Sequence, residues 1–491
     1  MITLGLDCGT SALKAVLIDE HQHALAASAC AYAPDHPQPL WSEQNPQVWL
    51  DAMIGAIAQI RQAAPTKLAA LGAIGFSGQM HSAVLLGADD APLRPALLHN
   101  DGRAFAQARA LHEAHPELAA IVGVKPMAGF TAPKLMWLRE HEPQTYALLR
   151  KVLLPKDYLR LYFTGEIATD MSDAAGTWWL DEARRQWSPE ALDASGAAPG
   201  LLPPLLEGAA IAGRVRDKVA DALGLPRGVL VAAGGGDAAT GAVGIGAIGA
   251  GDATISLGTS MQFILADDRY RADPGRLVHS FAHALPQRWY RMGAMLTGAS
   301  ALAFAARLTG STPDELDHLA AQDYRGPGEL TFLPYLTGER TPHDDPAARG
   351  VFFGLSPSTG RAEIARAVME GVACALVDAR DCVVGDGPAP AQIGLTGGGA
   401  RSALWTRMIA SALETPILRY KNSQSGPAFG AARLARLAVG GETAQDVCTA
   451  PEVADIAAPE PALAQAFAKR VEQYRRLYAA LKPEFAAAAA P

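Results

Sequence analysis

One acidic residue, Asp237, stands where a strand would turn into a helix, and a carboxylate there can accept a proton from a bound substrate. The apolar, β-branched run at 229–233 predicts a strand, and Gly234, Gly235 and Gly236 end it at once. Glycine has no Cβ, so the backbone can turn sharply and let another molecule approach closely. Aspartate is also a preferred N-cap, so two interpretations stay open: general base or helix cap.

A second acid precedes a turn that suits phosphate. Residues 2–18 predict strand, turn and strand, with Asp7 before the turn and Gly9, Thr10 and Ser11 within it. Backbone N–H groups and two hydroxyls can bind a polyphosphate there, and the acid can serve its metal ion. The segment lacks the pattern of a Walker loop, and a plain β-hairpin turn is the alternative.

The phosphate-type turn occurs twice. Residues 253–266 repeat the order strand, Gly-Thr-Ser and strand, and Gly9 aligns with Gly258. A second pair of segments also matches: IGFSG at 74–78 and IGLTG at 393–397. Two copies in the same order predict a duplicated α/β protein with a cleft between its halves.

The length of the chain supports this division. At 491 residues with 49% hydrophobic content, the chain is too long for one core. The predicted domains are 1–248 and 249–491. Asp7 has Ser256 as its counterpart in the second copy, so the acid occurs once. That asymmetry favours a role for Asp7 beside a metal ion over a role in the turn.

Further polar side chains stand at predicted strand ends and in loops. His81 follows the predicted strand 71–76, where α/β proteins bind ligands, although a lone histidine there is more often structural. Asn100 and Asp101 suit a polyol and are predicted to bind substrate, with a simple Asn-Asp-Gly turn as the alternative. The run TGGGAR at 396–401 offers glycine backbone to a flat ring, or forms a tight turn.

The periodicity of apolar residues predicts the helices that position these sites. Helical spacing extends over Pro46–Ala63, 363–384 and 462–489. Residues 153–161 and 164–177 carry several acids and hydroxyls and are predicted to form loops.

The acidic composition limits the kinds of partner that the protein can bind. Its formal net charge of -8 disfavours nucleic acid and anionic membranes as partners. Five cysteines are an odd number, and none forms a C-x-x-C pair, which favours a reducing compartment. The N-terminus lacks a signal-peptide pattern and no segment suits a membrane span, so a cytoplasmic protein is predicted.

Together these segments resemble those of the FGGY family of carbohydrate kinases, and the resemblance covers almost the whole chain. It implies two duplicated actin-like (ribonuclease H-like) ATPase domains of α/β class, with the catalytic cleft between them. The segments that carry the resemblance include LDCGTS at 6–11, PLWSEQNP at 39–46, GQMH at 78–81, LRPALLHNDGR at 93–103, SDAAGTWWLD at 172–181, GGGDAA at 234–239, LPYLTGERTPH at 333–343 and TGGGARSALW at 396–405.

The resemblance also implies roles for the residues described above. Asp237 matches the catalytic base of the family, and Asp7 matches the acid that serves Mg²⁺, directly or through water. Met80 and His81 match contacts to a ketose. ATP would be bound by a larger set of residues: Thr10, Ser11, Gly258, Thr259, Gly298, Gly398, Gly399, Ala400 and Arg401.

Within the family the chain is most similar to bacterial members that phosphorylate xylulose. This similarity implies Mg²⁺-assisted transfer of phosphate from ATP to O5 of D-xylulose, and a homodimer is expected. Two departures affect the sugar pocket: Ala238 stands where many relatives carry a polar residue, and His99 where similar enzymes often have tryptophan. The alternatives are a kinase for ribulose, fuculose or gluconate, and an actin-like ATPase without sugar kinase activity.

Overall fold

Two large mixed sheets, each of seven strands, form the framework of the computed structural model. The structure describes residues 1–421 and 426–489. The predicted C-terminal unit, 249–491, therefore includes residues outside the described ranges, namely 422–425, 490 and 491. No helix within the described ranges combines the length and apolar content needed to cross a bilayer.

The first sheet is built from the N-terminal half of the chain. Its central strand, Ile2–Cys8, is antiparallel to Ala12–Ile18 and parallel to Leu71–Gly78. Leu4 and Leu6 enter one hydrophobic core with residues of the first helix, while Gly5 between them faces the opposite side. The strands are Ile2–Cys8, Ala12–Ile18, Ala24–Ala31, Leu71–Gly78, Ile211–Arg214, Leu230–Ala232 and Gly235–Gly236.

The second sheet repeats this arrangement. Its central strand, Ala253–Leu257, is antiparallel to Met261–Asp267 and parallel to Ile393–Thr396. Both Gly-Thr-Ser turns therefore connect a central strand to its antiparallel neighbour, which confirms the predicted duplication. The strands are Ala253–Leu257, Met261–Asp267, His279–Ala282, Trp289–Met295, Ile393–Thr396, Ile417–Tyr420 and Val453–Ala457.

Helices cover both sheets, and several begin with proline, whose missing N–H costs nothing in the first turn. They are Pro46–Ala63, Pro65–Leu68, Phe105–Ala114, Thr131–His141, Pro143–Leu148, Pro155–Thr164, Met171–Ala174, Pro189–Ser195, Asp217–Leu223, Asp237–Gly244, Ser300–Thr309, Pro313–Ala321, Arg361–Val384, Ala403–Leu413, Pro427–Val439, Ala444–Val447 and Pro461–Ala489. Short strand pairs lie outside the large sheets: Glu43–Gln44 with Ala96–Leu97, Val84–Leu86 with Lys151–Leu153, Thr169–Asp170 with Leu205–Leu206, Leu180–Asp181 with Gln186–Trp187, and Thr331–Leu333 with Val351–Phe353.

Helix Pro427–Val439, called here the crossing helix, belongs to the second half of the chain but packs on the first sheet. A Cβ on Gly5 would lie 1.8 Å from the carbonyl oxygen of Ala428. A Cβ on Gly75 would lie 1.9 Å from the carbonyl oxygen of Ala431. Backbone meets backbone at both places, so glycine is required by the closeness of helix and sheet.

Helix Asp237–Gly244, called here the Asp237 helix, also packs on the crossing helix. A Cβ on Gly430 would lie 1.8 Å from the carbonyl oxygen of Thr240. Arg433 Nη1 donates a hydrogen bond to the Val243 carbonyl oxygen at 2.8 Å, near the end of the Asp237 helix. The crossing helix thereby fixes the helix that carries the predicted base.

The prediction of loops at 153–161 and 164–177 is wrong. Helix Pro155–Thr164 occupies most of the first segment, and helix Met171–Ala174 lies in the second. Charged side chains there pair with one another inside the protein, so their polarity did not indicate exposure. The buried carboxylates around Lys156 are Asp157, Asp170 and Asp173.

Candidate active site

A cleft of about 790 Å³ lies between the two sheets, and both halves of the chain line it. The first half contributes Lys14 and Asp237. The second half contributes residues that include Gly258, Thr259, Ser260, Gly398, Ala400 and Arg401. The cleft therefore brings the predicted base together with two of the predicted nucleotide turns.

Asp237 is the first residue of its helix, and Gly236 is the N-cap, so the cap interpretation of Asp237 is wrong. Oδ1 of Asp237 accepts a hydrogen bond from the Ala238 amide at 2.8 Å. Burial, and after it the charge of Asp7, raises the pKa of Asp237 from the usual 3.8 to about 7. A carboxylate that titrates there suits proton removal at neutral pH.

Asp7 lies near the end of the central strand, opposite Lys14 on one side and Ser77 on the other. Burial raises the pKa of Asp7, an effect that Lys14 opposes. Its Oδ1 is buried without a hydrogen-bond partner among residues 1–421 and 426–489. Mg²⁺ commonly binds one or two carboxylates, with water and substrate phosphates as its other ligands, so Asp7 fits this ion.

The first phosphate turn is held by its carbonyl oxygens. The Tyr32 hydroxyl donates to the Gly9 carbonyl at 2.6 Å, and Gln44 Nε2 donates to that of Thr10 at 2.8 Å. Thr10 is partly exposed and Ser11 is exposed. The turn thus leaves amides and hydroxyls for a ligand, the groups that bind phosphate.

The second turn, at Gly258 and Thr259, is supported by Gly298. The Gly298 amide donates to the Thr259 carbonyl at 2.9 Å, and the Ala299 amide to that of Gly258 at 2.7 Å. A Cβ on Gly298 would lie 2.6 Å from the Gly258 carbonyl oxygen. Gly298 therefore packs against the turn itself, and its contact to nucleotide stays a prediction.

The third turn consists of Gly398–Arg401 with Gly397 before it. A Cβ on Gly397 would lie 2.5 Å from the Leu257 carbonyl oxygen, and one on Gly399 would lie 2.4 Å from the Leu257 side chain. A Cβ on Gly398 would meet no described atom within 4 Å. Gly397 and Gly399 must therefore be glycine because Leu257 packs against them, and Gly397 and Gly398 both line the cleft.

Lys14 is a site residue that the sequence analysis missed. It is exposed, lines the cleft, and lies opposite Asp7 in the antiparallel pairing of the first two strands. A lysine ammonium beside two phosphate turns can bind an anionic phosphate as a point charge. The available signal was one charged residue inside the otherwise apolar strand Ala12–Ile18.

Met80 lies beside the residue that precedes Asp237. It is 4% exposed, and a Cβ on Gly236 would lie 2.7 Å from its Cγ. The Tyr290 hydroxyl, from the second sheet, donates to Met80 Sδ at 3.8 Å. Met80 therefore contacts both halves of the protein next to the predicted base.

His81 presents one ring nitrogen as an acceptor. Its backbone is left-handed, with a φ of 67°, and its ring packs on Phe130 with centroids 4.3 Å apart. Nδ1 lies 2.8 Å from the Gly176 carbonyl oxygen, which can only accept, so Nδ1 donates. Burial lowers the pKa of His81 well below its usual value, so the ring is neutral and Nε2 can accept from a hydroxyl.

Asn100 and Asp101 have different surroundings. Asn100 is exposed, whereas Asp101 is 1% exposed. Oδ2 of Asp101 accepts from the Ser42 amide at 2.7 Å, and the Arg103 side chain donates to both carboxylate oxygens, at 2.9 and 2.7 Å. Asp101 thus holds its own loop, and the sugar contacts of both residues stay predictions.

Comparison with known proteins identifies the family. The N-terminal domain of the FGGY family of carbohydrate kinases matches residues 2–244, and its C-terminal domain matches residues 253–439. The chain belongs to the FGGY family of carbohydrate kinases. The resemblance recognised from the sequence is confirmed, and the predicted actin-like ATPase fold with it.

Three known proteins illustrate how similar this FGGY kinase is to its relatives. Xylulose kinase of Escherichia coli (strain K12) is 44% identical over 482 residues, which cover 98% of this chain and 99% of that protein. The crystal structure of a xylulose kinase from Brucella ovis has a TM-score of 0.95 and 44% identity, covering 98% of this chain and 100% of that one. Gluconate kinase from Lactobacillus acidophilus has a TM-score of 0.92 and 27% identity, with 98% of both chains covered.

The protein is therefore a sugar kinase that binds a sugar and a nucleotide. This conclusion removes the alternative of an actin-like ATPase without sugar kinase activity. The cleft with Asp237 lies between the two sheets, where the family resemblance predicts the catalytic cleft.

Proposed function

We propose that this FGGY kinase transfers the γ-phosphoryl group of ATP to O5 of D-xylulose, giving D-xylulose 5-phosphate and ADP. The xylulose kinases of Escherichia coli and Brucella ovis, each 44% identical to this chain over 98% of its length, support this choice of sugar. One observation carries the mechanism: Asp237, with a pKa of about 7, lines a cleft that also contains two of the predicted nucleotide turns.

Asp237 is the general base in this proposal. As O5 of the sugar bonds to the γ-phosphorus, the bond from that phosphorus to the ADP oxygen breaks, and the O5 proton passes to the Asp237 carboxylate. The Ala238 amide holds Oδ1, which leaves Oδ2 to take the proton. Such proton removal contributes about 10²- to 10⁴-fold to the rate.

The phosphate turns bind and orient the nucleotide in this proposal. Lys14 donates to phosphate oxygens from the first half of the chain. Mg²⁺, held by Asp7 directly or through water, supplies charge neutralisation for the phosphates when it is bound. The remaining residues proposed to bind ATP are Thr10, Ser11, Gly258, Thr259, Gly298, Gly398, Gly399, Ala400 and Arg401.

In this proposal the sugar is bound on the side of Asp237 that faces away from the nucleotide turns. Nε2 of His81 accepts a hydrogen bond from a sugar hydroxyl, and Met80 supplies an apolar wall. Asn100 and Asp101 remain proposed sugar contacts from the neighbouring loop. Ala238 carries no polar group for the sugar, so more of the hydrogen bonding falls to His81 and to water.

Replacement of Asp237 tests the proposal. Asp237→Ala should lower kcat for xylulose by about 10²-fold or more, because no other group takes the proton. Sugar binding, measured by calorimetry, should change much less. A coupled assay of ADP release gives kcat, and the exposed Asp386→Ala is the matched control. Near-normal turnover by Asp237→Ala would exclude Asp237 as the base.

Gluconate is the second candidate substrate. The gluconate kinase of Lactobacillus acidophilus has a TM-score of 0.92 to this chain. Arg340 lies near His99 and His279: burial, and after it the Arg340 charge, lowers the pKa of each histidine to about 3. An arginine there can bind the carboxylate of a sugar acid. A sugar panel with xylulose, ribulose, fuculose and gluconate decides between them, and the highest kcat/KM identifies the substrate.

Three further parts of the proposal concern the whole protein. The division into domains at 1–248 and 249–491 rests on the repeated turn and on the two sheets. A homodimer and a cytoplasmic location are proposed with it, the latter from cysteine usage and from the family. Sedimentation analysis of the purified protein tests the dimer.

A further inference from the structure

A fully buried group of charged side chains lies near the turn that carries Asp237. Lys156 Nζ is 2.5 Å from Asp157 Oδ1, 2.8 Å from Asp170 Oδ1 and 3.3 Å from Asp173 Oδ2. None of these four side chains is exposed. A buried ion cluster is costly to desolvate and is often no more stabilising than apolar packing. Stability alone therefore does not account for this cluster.

Ser172 links the cluster to the residue before Asp237. Its hydroxyl donates to Asp170 Oδ2 at 2.5 Å and accepts from the Gly236 amide at 3.1 Å. A serine hydroxyl has one proton, which is committed to Asp170, so a lone pair faces Gly236. Gly236 is the N-cap of the Asp237 helix, and its position sets where the Asp237 side chain begins.

The other end of the glycine turn is held by the same cluster. Arg160 Nη1 donates to the Ala233 carbonyl oxygen at 3.1 Å and lies 3.2 Å from Asp157 Oδ1. Three consecutive glycines connect Ala233 to Asp237, and glycine restricts the backbone less than any other residue. The direction of this turn is therefore set from outside, by Arg160 at one end, by Ser172 at the other, and by the pairing of Gly235–Gly236 with Leu71–Gly78 between them.

We propose that Ser172 is a positioning residue for phosphoryl transfer: held by Asp170 and Lys156, it fixes the Gly236 amide and thereby the direction of the Asp237 carboxylate in the cleft. This inference rests on the proposed role of Asp237 as the base. A displacement of about 1 Å can lower a catalysed rate about 10²-fold. Loss of the Ser172 hydroxyl should therefore reduce kcat more than it weakens sugar binding.

The test compares two buried serines. Ser172→Ala removes the acceptor of the Gly236 amide, and kcat should fall about 10- to 100-fold while KM for sugar changes about threefold or less. Ser172→Thr keeps a hydroxyl and should recover most of kcat. The control is Ser195→Ala: Ser195 is 3% exposed, donates to the Ala191 carbonyl and accepts from Trp179 Nε1 at 2.9 Å. This control should lose comparable thermal stability but keep kcat.

A double-mutant cycle separates positioning from general damage. In the Asp237→Ala background, Ser172→Ala should lower the residual kcat no further, because the group that it positions is gone. If Ser172→Ala does not fold, Ser172→Cys, with a weaker acceptor of similar size, takes its place with the same readouts. Equal kcat in the Ser172→Ala and Ser195→Ala variants would overturn the inference. So would a double variant whose loss of kcat equals the product of the losses caused by Asp237→Ala and Ser172→Ala alone.

The two proposals fail in different ways. Near-normal turnover by Asp237→Ala would remove the base itself, whatever Ser172 does. An inactive Asp237→Ala together with a fully active Ser172→Ala would leave the base in place and refute the positioning role alone.

Discussion

Asp237 and Asp7 show that surroundings, more than residue type, separate the roles of two carboxylates. Asp7 is buried and Asp237 is partly exposed, and the surrounding protein raises the pKa of each by desolvation. Asp237 faces the cleft, where a raised pKa suits a base. Asp7 keeps one buried oxygen without a partner in the described chain, which suits a cation.

The raised pKa of Asp237 predicts how stability depends on pH. The folded residue titrates at about 7 and the unfolded one at 3.8, so between these values the folded chain holds a proton that the unfolded chain has released. The free energy of unfolding therefore decreases as pH rises from about 4 to about 7. Asp237→Asn cannot titrate, so its melting temperature should exceed that of the wild type at pH 8.

The difference in melting temperature should shrink toward pH 5, where the wild-type carboxylate is protonated in the folded state. Scanning calorimetry without ligands measures it, with the exposed Asp386→Asn as the control. A difference that is the same at both pH values would contradict the raised pKa of Asp237.

The sequence was sufficient to predict that Asp237 and the turns at Gly258 and Gly398 lie at one cleft, because their neighbours in the chain carry the signal, and the roles of these residues stay predictions. It was not sufficient for Lys14 or for the link through Ser172. Lys14 reaches the cleft through its strand register, opposite Asp7. Ser172 meets Gly236 from 64 positions away, through packing that no local pattern indicates.

The periodicity of apolar residues predicted helix bounds most accurately for helices that pack one face against a hydrophobic core. The helix predicted at Pro46–Ala63 has those bounds, and the one predicted at 363–384 is observed at Arg361–Val384. The loop prediction at 153–161 failed because buried, paired charges resemble a solvated segment in sequence. The crossing helix was not predicted to pack on the first sheet, since that contact joins distant parts of the chain.

The closeness of the crossing helix predicts a sharp response to one methyl group. Gly430→Ala would place a Cβ 1.8 Å from the Thr240 carbonyl oxygen, so the two helices must separate. Overpacking of this kind costs about 1 to 3 kcal/mol or more in the free energy of unfolding. Because separation of the two helices also displaces the Asp237 helix, kcat should fall as well.

Chemical denaturation and the ADP-release assay measure the two effects of Gly430→Ala. The matched control is Gly200→Ala, where a Cβ would meet no described atom within 4 Å. Unchanged stability and unchanged kcat in Gly430→Ala would show that the helices tolerate wider spacing.

In the molecule as a whole, the two halves are joined by more than the connection near residue 248. The crossing helix covers the first sheet. Trp289 Nε1 donates to the Glu182 carbonyl at 2.7 Å, and the Ser280 amide donates to that of Gly123 at 3.0 Å. Lys125 pairs with Asp344 across the same boundary. Motion between the lobes must therefore accommodate these contacts.

This architecture predicts that fragment 1–248 does not fold alone. It contains every strand of the first sheet but not the crossing helix, so Gly5 and Gly75 would face water. Without that burial, the fragment should lack the cooperative unfolding transition of the full chain in circular dichroism. Fusing 427–439 to the fragment through a Gly/Ser linker should restore part of it. A cooperative transition of the bare fragment near that of the full chain would refute the prediction.

The position of the crossing helix in the gene also has a consequence for synthesis in the cell. The ribosome releases the strands of the first sheet long before it releases the helix that covers them. One face of that sheet therefore emerges bare, and it stays exposed to solvent or to chaperones until residues 427–439 have been synthesised.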